Sequence, residues 1–175
     1  AVADPTPPLD MAAIEAAAQM INAAERPVLY LGGGVVASGA APLAVQLAEQ
    51  AGLPTTMTLM GLGAMAIDHP LSIGMLGMHG ARYTNFVLEE SDLLIVVGAR
   101  FDDRAIGRAA QFCPNAKIVH IDIDASELHK IKTAHVAIHA NVQCALEALL
   151  PRVQATPRER WLAQVDSLRS RFPMQ

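Results

Sequence analysis

Two arginines and two aspartates crowd the end of the stretch LIVVGARFDDR, Leu94 to Arg104. Arg100 and Arg104 can grip a phosphate through charge-assisted, two-pronged hydrogen bonds, and Asp102 or Asp103 can orient the guanidiniums. The plainer alternative is an exposed loop whose surface ion pairs contribute about 0–1 kcal/mol each. Position favours the ligand. An apolar strand that runs into Gly98 ends at the edge where open α/β sheets bind their ligands.

Three further stretches carry possible chemistry. GGGVVASGA puts Gly32, Gly33 and Gly34 directly after an apolar run. Glycine permits positive φ and lets backbone N–H groups approach an anion; a merely tight turn needs the same residues. The stretch matches neither the usual dinucleotide fingerprint nor a P-loop. In HIDID, Asp122 stands near a strand end, where a carboxylate accepts hydrogen bonds from ribose hydroxyls. Asp124 is better placed to cap a helix through ASELHK. His79 lies in LGMHG, inside a Gly- and Met-rich segment from 60 to 80 long enough to need a function. The methionines there fill core gaps or form the soft wall of a pocket for a flat ring.

Other chemistry is missing from the pattern. His129, His135 and His139 lack zinc-site spacing, and no metal site is expected. Cys113 and Cys144 read as reduced thiols of a cytoplasmic protein. No Ser/His/Asp set is defensible, and no GDG…N signature for diphosphate and Mg²⁺ occurs.

The elements that must position these residues alternate. Asp10 caps a helix through MAAIEAAAQMINAA. VLYLGGG is a buried strand and turn, APLAVQLAEQAG a helix closed by Gly52, and PTTMTL a second strand. Residues 60 to 80 read as mostly loop. ARYTNFVLEES is a helix, and LLIVVG, KIVHIDID and VAIHA are strands. NVQCALEALL is a helix with Asn141 as its cap. RERWLAQVDSLRSRF is a charged amphipathic helix beyond Pro151 and Pro157. This is an α/β fold, a doubly wound, mostly parallel sheet of about six strands with helices on both faces, Rossmann-like. Its ligand-binding positions are the strand ends: Gly32 to Gly34, Thr58 to Met60, Gly98 to Arg104, Asp122 to Asp124, and Ala140 to Val142.

At 175 residues the length is that of one domain. A net charge of -4 argues against a nucleic-acid binder, which carries a basic stripe. No uncharged run of purely apolar residues reaches the roughly 18 residues of a membrane span. The chain starts without Met on a proline-rich stretch. The expected division is a linker over 1–9, a central domain over 10–151, and a linker with a C-terminal helix over 152–175 that leads to a third domain.

RPVLYLGGGV, LPTTMTLMGLG, HPLSIGMLGMHG, ESDLLIVVGARFDDR and KIVHIDID, in that order, resemble the central domain of the acetohydroxyacid synthase (acetolactate synthase) catalytic subunit. This is a thiamine-diphosphate enzyme family of branched-chain amino-acid synthesis. The resemblance implies a parent that condenses two 2-oxoacids with loss of CO₂. It implies FAD in this domain, held structurally, with thiamine diphosphate and Mg²⁺ bound by other domains. Gly32, Gly33 and Gly34 would then approach the FAD phosphate and ribose. Thr58, Leu59, Leu76, Gly77, Met78 and His79 would line the flavin. Gly98, Ala99, Arg100, Asp102 and Arg104 would hold the diphosphate and ribityl region, and Asp122 and Ile123 the adenosine. Met78, Asp103 and Arg104 would also lie at the edge of the substrate channel, where herbicides bind. Near the adenine the family commonly has Asp before Val; here Asn141 precedes Val142, which puts an acid-dependent contact in question.

No catalytic residue is expected in this chain, which should be inactive alone. The implied partners are a second copy of the full-length enzyme and a small regulatory subunit, with no nucleic acid and no membrane. Two other functions remain open: a non-catalytic nucleotide-binding module, such as the FAD domain of an electron-transfer flavoprotein, and a plain α/β interaction domain.

Overall fold

A computed structural model describes residues 8–75, 82–99, 113, 116–124, 128 and 134–173. Helix α1 (Met11–Ala23) opens the fold, and Asp10 caps it by accepting from the Ala13 N–H at 3.1 Å. Strand β1 (Pro27–Leu31) follows, then the short α2 (Gly33–Ala37) and α3 (Ala41–Ala51). Gly52 closes α3 in the left-handed conformation at φ 65, which glycine adopts without a Cβ penalty. Then come β2 (Thr55–Met57), a 3₁₀ turn (Leu59–Gly61), β3 (Ser72–Met75), α4 (Arg82–Glu90), β4 (Leu93–Val97), β5 (Lys117–Asp122) and β6 (Ala134–His139). Helix α5 (Val142–Leu149), a 3₁₀ turn (Leu150–Arg152) and α6 (Glu159–Arg171) complete the described elements.

The six strands form one sheet in the order β3-β2-β1-β4-β5-β6, with every pair parallel. The central strands β1 and β4 are buried at every position, because helices cover both faces. Alternation sends Leu29, Leu31, Ile95, Val97, Val119 and Ile121 into one core with α1, α3 and α5. The other face, with Val28, Tyr30, Leu94, Val96 and Ile118, packs on α4 and α6. The alanines of α1 and α3 (Ala17, Ala18, Ala44, Ala48) are buried, so their small side chains bring these helices close to the sheet.

Residues 60 to 75, read with 76 to 80 as mostly loop, also contain the strand β3. Pairing with β2 makes it, and the Thr56 and Thr84 hydroxyls donate to the Gly74 and Ile73 carbonyls. The tail expected as a linker and amphipathic helix is packed on the domain. The Gln50 side chain donates to the Leu150 and Val153 carbonyls, and the Thr156 N–H donates back to Gln50 O at 2.9 Å. Helix α6 buries Trp161, Val165 and Leu168, and the Trp161 indole N–H donates to Pro27 O at 2.9 Å. Residues 1–7 of the expected N-terminal linker lie outside the described residues.

Arg158 ties this tail down. It is 8% exposed, sits at φ 48, and donates to the Ile21, Ala24 and Ala51 carbonyls. These are the last carbonyls of α1 and α3, neither of which has a basic residue in its own last turn. The guanidinium therefore satisfies buried helix-end acceptors and complements two helix dipoles at once. Burial lowers its pKa, and the nearby Asp92 carboxylate opposes that shift.

Candidate functional site at the topological switch point

From β1 the chain winds outward to β2 and β3, and from β4 to β5 and β6. The switch point thus falls between the carboxyl ends of β1 and β4, where parallel sheets form a ligand crevice. Hydrogen bonds stitch these ends together past the strands themselves. Gly32 N donates to Val97 O, Gly34 N to Gly98 O, Gly98 N to Ile121 O and Thr58 N to Leu31 O, all at 2.9 Å.

Glycine is compulsory here for reasons internal to the protein. A Cβ on Gly32 would lie 2.4 Å from Gly98 O and 2.5 Å from the Ala99 Cα. A Cβ on Gly34 would lie 2.9 Å from the Gly98 Cα, and Gly98 has φ 64. The two strand-end loops meet backbone to backbone, so tight packing alone accounts for Gly32, Gly34 and Gly98. A Cβ on Gly33 would instead meet the Met60 Cβ at 2.9 Å.

Thr58 is buried, and its hydroxyl oxygen accepts from the Gly61 N–H at 3.0 Å, capping the 3₁₀ turn. The next two residues point outward: Leu59 is 69% exposed and Met60 is 76% exposed. Ile123, after β5, is 48% exposed. Solvent-facing apolar side chains therefore follow β2 and β5, on the carboxyl edge of the sheet. Ala99 is buried.

Asp122 turns inward. Its Oδ1 accepts from the Asp124 N–H at 2.9 Å, and its Oδ2 lies 3.6 Å from His120 Nε2. Asp122 itself makes the local turn after β5; the helix that Asp124 was expected to cap lies, apart from Leu128, outside the described residues. Asn141 caps α5 by accepting from the Cys144 N–H at 3.2 Å, and Val142 is buried in the core. A neutral amide thus serves where the resemblance leads one to expect a carboxylate. Leu76, Gly77, Met78, His79, Arg100, Asp102, Asp103 and Arg104 lie outside the described residues.

Sequence reasoning passed over His120 and weighed His139 only as a metal ligand. His120 is fully buried, with Nε2 3.3 Å from Ala99 O. His139 Nε2 lies 2.8 Å from Ile123 O. The available signal was the imidazole in an otherwise apolar strand, since a buried polar group needs partners. Among the described residues no group of three His, Cys, Asp or Glu could hold a metal ion, and no helix is long and apolar enough to cross a membrane. Among the described residues one groove lies between Pro54, Leu71 and Ile73 of the sheet edge and Leu162, Val165 and Arg169 of α6. The switch point is singled out by topology.

Residues 14–149 match the family model of the thiamine pyrophosphate enzyme central domain. The chain belongs to that family. This central domain is 63% identical over 161 residues to the acetolactate synthase isozyme 1 large subunit of Escherichia coli (strain K12), covering 91% of this chain and 28% of that protein. It is 47% identical over 143 residues to the isozyme 2 large subunit of the same organism, covering 82% of this chain and 25% of that protein. Acetolactate synthase 1, chloroplastic, of Zea mays is 40% identical over 167 residues, covering 92% of this chain and 26% of that protein. The central domain therefore spans about a quarter of the length of these relatives. Its family is that of thiamine pyrophosphate enzymes.

Proposed function

We propose that this chain is the FAD-holding central domain of an acetolactate synthase large subunit. The complete enzyme would condense two 2-oxoacids, pyruvate with pyruvate or with 2-oxobutyrate, with loss of CO₂ in branched-chain amino-acid biosynthesis. The observation that carries this reading is the 63% identity to a protein of that name over 91% of this chain. The switch-point crevice supports the FAD part, because dinucleotides bind at this place in doubly wound sheets.

The residues fit the group. Glycine at positions 32, 34 and 98 keeps the floor of the crevice thin, with no side chain between two loops in backbone contact. The exposed Leu59, Met60 and Ile123 offer apolar surface to flat rings. Asp122 keeps acceptor capacity for a ribose hydroxyl, since each carboxylate oxygen accepts more than one hydrogen bond. Arg100 and Arg104, with Asp102, would hold the diphosphate; Leu76, Gly77, Met78 and His79 would line the flavin; Asn141 and Val142 would border the adenine. Met78, Asp103 and Arg104 would edge the substrate channel. FAD supplies structural support there and no net redox change. Thiamine diphosphate and Mg²⁺ would be bound by other domains, with residues 152–175 leading toward the third. The domain would work in a cytoplasmic homodimer of full-length chains with a small regulatory subunit.

A flavin titration followed by fluorescence tests this reading. The full polypeptide that carries this chain should bind FAD, and the 175-residue chain should bind it weakly, for want of neighbouring walls over the flavin. Arg100→Ala in the full polypeptide should weaken FAD by roughly 10- to 200-fold, as for one or two lost charge-assisted hydrogen bonds, with Arg100→Lys in between. The chain alone, given thiamine diphosphate, Mg²⁺ and FAD, should make no acetolactate. A full polypeptide that binds no FAD would overturn the FAD assignment, and acetolactate from the chain alone would overturn the division of labour between domains.

A further inference from the structure

Resting on the FAD reading, we propose that His120 is a positioning residue for the adenosine diphosphate half of the site, setting Ala99 after β4 against Asp122 at the end of β5. Strand alternation puts Val119 and Ile121 in the core beneath α1, α3 and α5, and leaves His120 and Asp122 on the opposite face with Ile118. His120 is fully buried there. An imidazole in such surroundings is costly unless its nitrogens are bonded, whereas leucine would fill the space without that cost.

The contacts show what the imidazole accomplishes. Nε2 lies 3.3 Å from Ala99 O and 3.6 Å from Asp122 Oδ2. A carbonyl oxygen only accepts, so Nε2 carries the proton in the contact with Ala99. Asp122 Oδ1 takes the Asp124 N–H at 2.9 Å. The Nε2 proton thus ties the imidazole to Ala99, and the ring stands beside the Asp122 carboxylate that holds Asp124 N, so His120 braces the first residues after β4 against the end of β5. Its reach extends further. Ala99 is the residue that a Cβ on Gly32 would strike, at 2.5 Å from its Cα, so fixing Ala99 also fixes the closest approach of the β1 loop. Ala99 directly precedes Arg100, and Asp122 is the carboxylate proposed for the ribose. Fully buried, His120 would itself touch neither part of the cofactor. It sets where both protein contacts begin.

The geometry distinguishes substitutions. The side-chain nitrogen of glutamine can occupy the place of Nε2, and that of asparagine the place of Nδ1. His120→Gln therefore keeps a donor to Ala99, while His120→Asn and His120→Leu lose it. In the full polypeptide that carries this chain, dissociation constants for FAD, ADP and FMN would be measured for these three variants beside the melting temperature without ligand. The expected result is that Leu and Asn weaken FAD and ADP by about tenfold, the size of one net hydrogen bond, weaken FMN less because it lacks the adenosine, and that Gln stays near wild type. Equal losses of ADP and FMN tracking the melting temperature would make His120 a purely structural residue and overturn the proposal. So would wild-type ADP affinity in the Leu variant. If the Leu variant does not fold, the Gln and Asn pair decides in the same way. Wild-type protein that binds neither FAD nor ADP would instead overturn the function reading, and this inference with it.

Discussion

Gly32 and Gly98 meet so closely that a Cβ on Gly32 would sit 2.4 Å from the Gly98 carbonyl oxygen. This contact spans the switch point of the sheet, and it admits no side chain. Gly98→Ala meets two obstacles, a Cβ 2.8 Å from Val35 N and a left-handed φ of 64. Gly39 shares the positive φ, at 72, and has nothing within 4 Å of its would-be Cβ. Gly39→Ala should therefore cost only the backbone term, about 1–2 kcal/mol, and Gly98→Ala should cost more. Urea unfolding of the two variants measures the difference, which is the packing contribution. Equal losses would show that the loops give way without penalty.

Arg158 should be among the least replaceable residues on the sheet's helical flank. It answers three carbonyls at the ends of α1 and α3. Arg158→Met keeps the length of the side chain and leaves these acceptors without their donor. The expected destabilisation is about 2–4 kcal/mol, from buried acceptors at ~1–3 kcal/mol each with partial relaxation. Arg158→Lys should recover only part, because a single ammonium cannot span three carbonyls as a planar fork does. The check is the midpoint of denaturant unfolding, and a Lys variant equal to wild type would refute the fork argument.

Cys113 gives the fold a dependence on alkaline pH. Burial, opposed by the Ser91 hydroxyl and assisted by the charge of Glu89, pushes its thiol up from an ordinary 9.0 to about 11. The folded state therefore keeps its proton where the unfolded chain has lost one. The stabilisation is complete below about pH 9 and is lost as the pH rises through about 11. A two-unit shift corresponds to about 3 kcal/mol. Cys113→Ser should flatten this window in unfolding curves taken from pH 8 to about 11. At neutral pH the exposed Cys144 should react with iodoacetamide far faster than the buried Cys113.

The central sheet could be read from the chain because it is buried on both faces: VLYL, LLIVV and KIVHI are apolar runs too short for helices. β3 escaped for a physical reason. Ser-Ile-Gly-Met has little strand propensity, and Gly74 sits at φ 79; the pairing with β2 and the hydroxyls of Thr56 and Thr84 supply what the local sequence lacks. Arg158 escaped because nothing near it in the chain announces three carbonyls more than 100 residues away. The glycines were legible as a requirement but not as a cause. Ligand approach and loop-to-loop packing demand the same residue, and only the contact between Gly32 and Gly98 separates them.

Asn141 offers the cleanest separation of a structural role from a ligand role. Its Oδ1 caps α5 through the Cys144 N–H, and the same residue stands where the resemblance puts the adenine. Asn141→Ala removes the cap and should cost about 1 kcal/mol of stability without any ligand. Asn141→Asp keeps the cap and adds a negative charge at a helix N-terminus, so it should be neutral or stabilising by ~0.3–1 kcal/mol at low salt. If the side chain also meets the adenine, Asp and Ala should differ in FAD affinity by more than their stabilities explain. Thermal unfolding without ligand, set beside flavin titration, separates the two contributions. A stable Ala variant without loss would show that the cap contributes nothing, and identical FAD affinities in Asn, Asp and Ala would confine Asn141 to the helix.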